Sequence, residues 1–260
     1  MPHETVNNLR FFYSEEGKGV PLVFLHGFSL DHRMWQPQQE YFSQHYRVIC
    51  PDARGHGKSD TPLTGYSRAH RVQDLEELVD KLGLERFHLV GLSMGGATAI
   101  GHALAHPERL RSCTLVSSGA AGYEVSMKFS RLDDVAQRQG VTVALEKWKN
   151  WTLSWYKEDR RDLRDLLDRI MSEYSGSIWR DPMRGQYPPE DDLSAVNRIS
   201  VPTAIFAGRL DKVFAGLANL LHERIPASRL YVYPATGHMV NLEKPDQFNN
   251  DVAAFLAEVG

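Results

Sequence analysis

The sequence predicts an α/β fold, a mostly parallel sheet covered by helices on both faces and interrupted once by a helical insertion. Three observations carry this. Short apolar runs alternate with helical patterns, and the runs lack the polar alternation of a half-exposed sheet. Strands read this way when helices cover both their faces. One long stretch, from Met127 to Trp179, is helical in character with no convincing strand.

Taken in order, Leu22 to Leu25 (LVFL), Val48 to Cys50 (VIC), Phe87 to Val90 (FHLV) and Cys113 to Val116 (CTLV) read as buried strands. Arg71 to Leu84 reads as a helix. Its stripe is Val72, Leu75, Leu78, Val79 and Leu82, and Gly83 marks the end. In the helical stretch Trp148, Trp151 and Trp155 fall at i, i+3 and i+7, on one face of a helix, and Trp179 follows. The α/β pattern resumes with strands at Thr203 to Phe206 (TAIF) and Leu230 to Tyr233 (LYVY), and Pro245 to Val259 closes the chain as a helix. No internal repeat or low-complexity stretch is present.

Composition narrows the function. The 260 residues are 42% hydrophobic and 24% charged with a formal net charge of −3, and the Lys and Arg residues are scattered among acids. A nucleic-acid partner is therefore not expected. The densest charged stretch, Lys157 to Arg169, alternates sign and reads as a solvated helix face. Cys50 and Cys113 sit inside apolar runs and read as small buried hydrophobes. A single bridge between them stays open at this level. Met1 to Arg10 lacks a basic region followed by an apolar stretch, and no apolar run approaches the roughly 20 residues that span a bilayer. The expectation is a cytoplasmic protein without a membrane partner, its oligomeric state undetermined.

The chemistry lies in four places. Gly91-Leu92-Ser93-Met94-Gly95 matches G-x-S-x-G between the strand FHLV and a helix pattern of small residues. A strand-to-helix turn this sharp strains its central residue and leaves Ser93 Oγ exposed above the sheet, a nucleophile. Leu25-His26-Gly27-Phe28 ends an earlier strand. The backbone N–H groups of Met94 and Phe28 are the candidate oxyanion donors. A serine needs an imidazole to take its proton and a carboxylate to hold that imidazole. Of eleven histidines, four lie downstream of Ser93: His102, His106, His222 and His238. Only His238 sits in a loop just after a strand, which makes it the candidate base. His102 and His106 have metal-like spacing, but no third ligand is apparent and no metal is expected. Asp211 ends the strand TAIFAG and is the candidate acid; Asp52, after VIC, is the rival, read as structural because it precedes the nucleophile.

With these motifs together, LHGFSLDHRMW, RVICPDARGHGKSD, HLVGLSMGG, VPTAIFAGRLDKV and ATGHMVNLEKPDQF, the chain resembles the α/β-hydrolase superfamily from about residue 20 to the end. The resemblance implies an α/β-hydrolase fold with a sheet of about eight strands, and Ser93, Asp211 and His238 converging at its C-terminal edge. It implies a core of residues 1–120 and 196–260, with 121–195 as a helical lid (cap) over the active site. Within the superfamily the chain looks most like the lactonase, carboxylesterase and enol-lactone hydrolase group. Ser93 argues against branches that use Asp or Cys there. Ser29 and Leu30 stand where the cofactor-free haloperoxidase branch has Pro.

The expected function is a serine hydrolase acting on a small carboxylic ester or lactone, with no cofactor. Two alternatives stand beside it: a carbon–carbon bond hydrolase of aromatic catabolism, and a ligand receptor built on the same fold. Trp148, Trp151 and Trp155 either pack the lid onto the core or, with Met239, line a pocket for an aromatic or medium acyl group.

Overall fold

Eight strands form one sheet in the order β1-β2-β4-β3-β5-β6-β7-β8. They are β1 (His3–Val6), β2 (Leu9–Glu16), β3 (Val20–Leu25), β4 (Tyr46–Pro51), β5 (Phe87–Leu92), β6 (Leu110–Val116), β7 (Thr203–Gly208) and β8 (Ser228–Tyr233). The computed structural model describes residues 2–123, 127–156 and 160–260. From β3 to β8 the pairing is parallel throughout, as the unbroken apolar runs require. Every residue of β5 and β7 is buried.

The first two strands escaped the sequence reading. They form an antiparallel hairpin on the sheet edge, with β2 running antiparallel to β4. Asn7 and Asn8 both have positive φ, 49° and 62°, the conformation that a two-residue hairpin loop needs and that Asn tolerates. Phe11, Phe12 and Tyr13 are all buried, but Arg10 before them and Ser14, Glu15 and Glu16 after them cut the apolar run short.

Helices cover both faces. On one, α2 (Arg68–Lys81), α3 (Met94–Ala105) and α8 (Ala215–Arg224) share a core with the sheet through Leu75, Ile100 and Leu221. On the other, α1 (Gln36–Phe42) and α10 (Pro245–Val259) bury Phe42, Phe248 and Phe255. The short α9 (Val240–Glu243) precedes α10. Between β6 and β7 lie α4 (Met127–Gln139), α5 (Val141–Leu153), α6 (Arg161–Glu173) and α7 (Ser177–Arg180). In α6, Leu163, Leu167, Ile170 and Met171 form the buried stripe and Asp162, Asp165 and Arg169 face solvent. The solvated-face reading thus holds over 161–169, while residues 157–159 lie outside the described residues. Among the described residues no helix is long and apolar enough to cross a membrane.

Two expectations need correction. The helix predicted over Arg71 to Leu84 starts earlier, at Arg68, because Ser67 Oγ caps it by accepting from the His70 N–H at 3.3 Å. Trp155 is not on the helix of Trp148 and Trp151. That helix, α5, ends at Leu153, and Trp155 follows in a turn closed by its N–H on the Thr152 carbonyl. Cys50 and Cys113 are both buried and unbridged.

Candidate active site

The turn between β5 and α3 is built by what glycine lacks. Ser93 sits at φ 55°, ψ −109°, a backbone state disfavoured for any residue with a Cβ. A Cβ at Gly91 would collide with the Gly95 carbonyl, and one at Gly95 with the carbonyls of Leu25 and His26. So the two motif glycines let α3 fold back over its own strand and press against the end of β3. Ser93 projects into a cavity of about 340 Å³ that His238 also lines. The N–H groups of the first turn of α3 have no acceptor within the helix, and Met94 is the first of them.

His238 follows β8 and is buried between Trp155 and Phe214, with ring centroids 5.7 and 5.8 Å away. Its Nδ1 lies 2.9 Å from Asp211 Oδ2, and Asp211 Oδ1 accepts from the N–H groups of Val213 (2.7 Å) and Phe214 (3.2 Å). Burial pushes the Asp211 carboxyl up, but the His238 charge and hydrogen bond and those two N–H groups outweigh it. The carboxyl titrates below its ordinary value. Ser93 Oγ makes no hydrogen bond to a described residue within 3.5 Å, His238 included. Such contacts commonly tighten only when substrate binds.

Asp52 meets other groups. Its oxygens accept from the His32 N–H (2.7 Å), from His32 Nδ1 (2.8 Å) and from the Lys58 N–H (2.9 Å), tying the loops after β3 and β4 together. Asp31, His32 and Asp52 are the one group among the described residues with metal-like proximity. Asp31 is already held by Arg33 at 2.6 Å, so this cluster reads as a loop brace. His102 turns away from the site to Glu76, at 2.8 Å.

The loop carrying Phe28 rests on two more histidines. His26 Nδ1–H donates to the Gly27 carbonyl (2.8 Å), and its Nε2 accepts from the Ala53 N–H (2.9 Å). His56 stacks on Tyr174 at 4.6 Å and lies 5.0 Å from His26. Phe28 itself is boxed by Trp148, Tyr174 and Trp179. Ser29 stands at φ 60°, a value closed to proline, and its Oγ accepts from Trp148 Nε1 at 2.7 Å. Ser29 thereby anchors α5.

Burial lowers the pKa of His26, of His56 to about 3, and of His88 and His102 to about 4. Each contributes stability that is complete above the unfolded value near 6.5 and is lost as pH falls toward the folded one. Asp192, raised to about 6 by burial, works in the opposite sense, one group against four. The unfolding free energy from urea titration should therefore fall between pH 6.5 and 5, with a slope that approaches about 1.4 kcal/mol per pH unit for each histidine. A flat profile over that window would mean these rings are charged in the folded protein.

Of the residues singled out in the sequence, Ser93, Met94, His238, Phe28, Trp148, Trp155 and Met239 all line the one cavity. Trp151 does not. It packs on Trp148 and Trp155 but faces a shallow hollow beside Arg131 and Lys147. Three charged lining groups were missed. Arg68 and Arg71 enter the cavity from α2, and Glu190 from the segment before β7. Glu243 was also missed: its carboxylate accepts from the N–H groups of Gly237 (2.8 Å) and Met239 (3.2 Å), gripping the loop on either side of His238.

Residues 20–245 match the family model described as alpha/beta hydrolase fold. The chain belongs to the α/β-hydrolase fold family. This hydrolase is 30% identical over 271 residues, 97% of each chain, to a Bacillus subtilis (strain 168) protein assigned as a 2-succinyl-6-hydroxy-2,4-cyclohexadiene-1-carboxylate synthase. It is 30% identical to 3-oxoadipate enol-lactonase 2 of Acinetobacter baylyi, over 90% of this chain and 88% of that one. A 2-hydroxymuconate semialdehyde hydrolase of Pseudomonas putida is also 30% identical, over 94% and 89%. Among solved structures, Est816, titled an N-acyl homoserine lactone degrading enzyme, superimposes with a TM-score of 0.83 at 28% identity, covering 98% of this chain and 100% of that one.

Proposed function

We propose that this chain is a cytoplasmic serine hydrolase that cleaves a small carboxylic ester or lactone through an acyl-enzyme on Ser93. The observation that carries the reading is the Ser93 hydroxyl on its strained turn facing the same cavity as His238, whose far nitrogen is held by Asp211. In this scheme His238 Nε2 takes the proton as Ser93 Oγ attacks the carbonyl. The Met94 and Phe28 N–H groups receive the oxyanion. His238 then returns the proton to the departing alkoxide. Water, deprotonated by the same nitrogen, attacks the acyl group and releases the acid and Ser93. Glu243 fixes the backbone on which His238 turns. Every proton is moved by a side chain or water, so the scheme draws on no cofactor.

The helical segment 121–195 acts in this reading as a lid, with Trp148 and Trp155 from it and Met239 from the core forming the apolar wall against which the acyl group packs. A carbon–carbon hydrolase is the second reading, favoured by the likeness to the 2-hydroxymuconate semialdehyde hydrolase. A turnover screen across esters, lactones and vinylogous 1,5-diketones separates them. Esters or lactones should give the higher kcat/KM. Turnover confined to the diketones would replace the first reading by the second.

A further inference from the structure

Arg71 is the exception among the arginines at this end of the sheet. Arg33 meets Asp31 at 2.6 Å, Arg54 takes Asp74 through two 2.5 Å hydrogen bonds, and Arg68 meets Asp192 at 2.8 Å. Arg71 has no carboxylate within 4 Å among the described residues. Its guanidinium is nevertheless fixed. Nε donates to Thr98 Oγ1 (3.1 Å) and Nη1 to the Tyr66 carbonyl (3.0 Å). Nη2 donates to no described residue, yet it is not among the buried polar atoms sealed without a partner. The side chain lines the cavity that holds Ser93 and His238.

The neighbouring acids are already engaged. Asp74 is saturated by Arg54, and Glu190, which shares the cavity wall, accepts from the N–H groups of Ala69 (2.7 Å) and Arg68 (3.2 Å). Burial pushes the Arg71 guanidinium down to about 10; Glu190 and Asp74 pull it up, and Arg68 and Arg54 push it further down. It stays charged at neutral pH. An enclosed cation without a counterion is costly to a fold unless something supplies the missing charge.

We propose that Arg71 is a carboxylate-binding subsite of this cavity, and that the substrate is an ester or lactone bearing a free carboxylate. The inference rests on the hydrolytic reading of the same cavity. The unused Nη edge of a planar guanidinium offers parallel donors that match the two oxygens of a carboxylate. Much of the remaining wall is apolar, with Phe28, Leu30, Ala97 and Phe214. Its other charged groups, Arg68 and Glu190, are already held by Asp192 and by backbone N–H groups, so Arg71 is the charged group left to orient a ligand. Thr98, which holds Nε, itself donates to the Met94 carbonyl at 3.1 Å. Met94 and Thr98 lie about one turn apart on α3, so the oxyanion donor and the anchor of the cation ride on one rigid helix. A short dicarboxylic acid esterified at one end is the simplest substrate that would use both.

The test compares mono(4-nitrophenyl) glutarate with 4-nitrophenyl valerate, in which a methyl replaces the carboxylate. The wild type should prefer the charged ester, and Arg71→Met should lower the ratio of the two kcat/KM values by at least about thirtyfold. Arg71→Lys, which keeps charge but loses the fork, should fall between. If Arg71→Met does not fold, wild-type inhibition decides: butyrate should compete with the valerate ester more tightly than butyramide does. An unchanged ratio in a folded Arg71→Met, or equal inhibition by butyrate and butyramide, overturns the subsite. If the wild type cleaves neither ester, the hydrolytic reading fails by itself. Calorimetric binding of glutarate to wild type and Arg71→Met then decides the subsite, with weaker binding to the variant expected.

Discussion

Ser93→Ala should lower kcat for a short 4-nitrophenyl ester by about 10⁵- to 10⁶-fold, because members of a nucleophile–base unit fail together when one is removed. Stability should change little. Alanine has the same Cβ as serine, so it inherits the φ of 55° and its strain, and Ser93 Oγ has no hydrogen bond to a described residue to lose. The melting temperature of the variant checks that half of the expectation. Ligand affinity should survive as well, since Trp148, Trp155 and Arg71 are untouched. A ligand receptor built on this fold would behave otherwise: its output would outlive the loss of turnover.

Asp211→Asn should cost about 10⁴-fold in kcat. The local geometry says why the isosteric change is so damaging. Asp211 Oδ1 accepts from the Val213 and Phe214 N–H groups, and those donors will hold the amide oxygen of Asn in the same place. The amide nitrogen is then forced toward His238 Nδ1, where a carboxylate oxygen stood. Donor would face donor unless the ring moves its proton to Nε2, the nitrogen that must be free to accept from Ser93. The variant should therefore be folded and inert at neutral pH. Asp52→Asn makes the contrast. It loosens the loops braced through His32 and Lys58, so its loss should appear in melting temperature before it appears in kcat.

Much of this was legible in the sequence, and the rest was hidden for identifiable reasons. The inner parallel strands announce themselves because burial on both faces demands uninterrupted apolar runs, and β8, partly open at the sheet edge, still carries the apolar run LYVY. The edge hairpin does not, since β1 is only four residues long and mostly open to solvent, and in β2 the buried Phe11, Phe12 and Tyr13 are flanked by Arg10, Ser14, Glu15 and Glu16. Its one readable sign is Asn7-Asn8, a turn pair before an aromatic run. Ser93, Asp211 and His238 drew attention in the sequence because each follows a strand closely, and the structure places Ser93 and His238 on one cavity with Asp211 on the His238 ring.

The cavity wall was harder to read. Trp155 keeps a helical spacing from Trp148 and Trp151, but α5 stops at Leu153, and the ring reaches His238 from a turn instead. Spacing alone could not separate it from Trp151, which faces elsewhere. Arg71 entered the sequence reading only as the first residue of a helix, and it lies four residues past the cap of α2. Only the positions of Asp74, Glu190 and Asp192 show that it lacks a carboxylate partner among the described residues. Glu243 had a visible place in the sequence, five residues after His238, but nothing there states that its carboxylate reaches back to the backbone.

The central claim is that the acyl group passes through Ser93. Intact-protein mass spectrometry tests it most directly, on wild type mixed rapidly with a 4-nitrophenyl ester and quenched in acid within the first turnover. One acyl mass should appear, localised by fragmentation to the peptide containing Ser93, and it should be missing from Ser93→Ala. Turnover by Ser93→Ala at the wild-type rate, or an acyl adduct that forms on another residue in both proteins, would contradict the account.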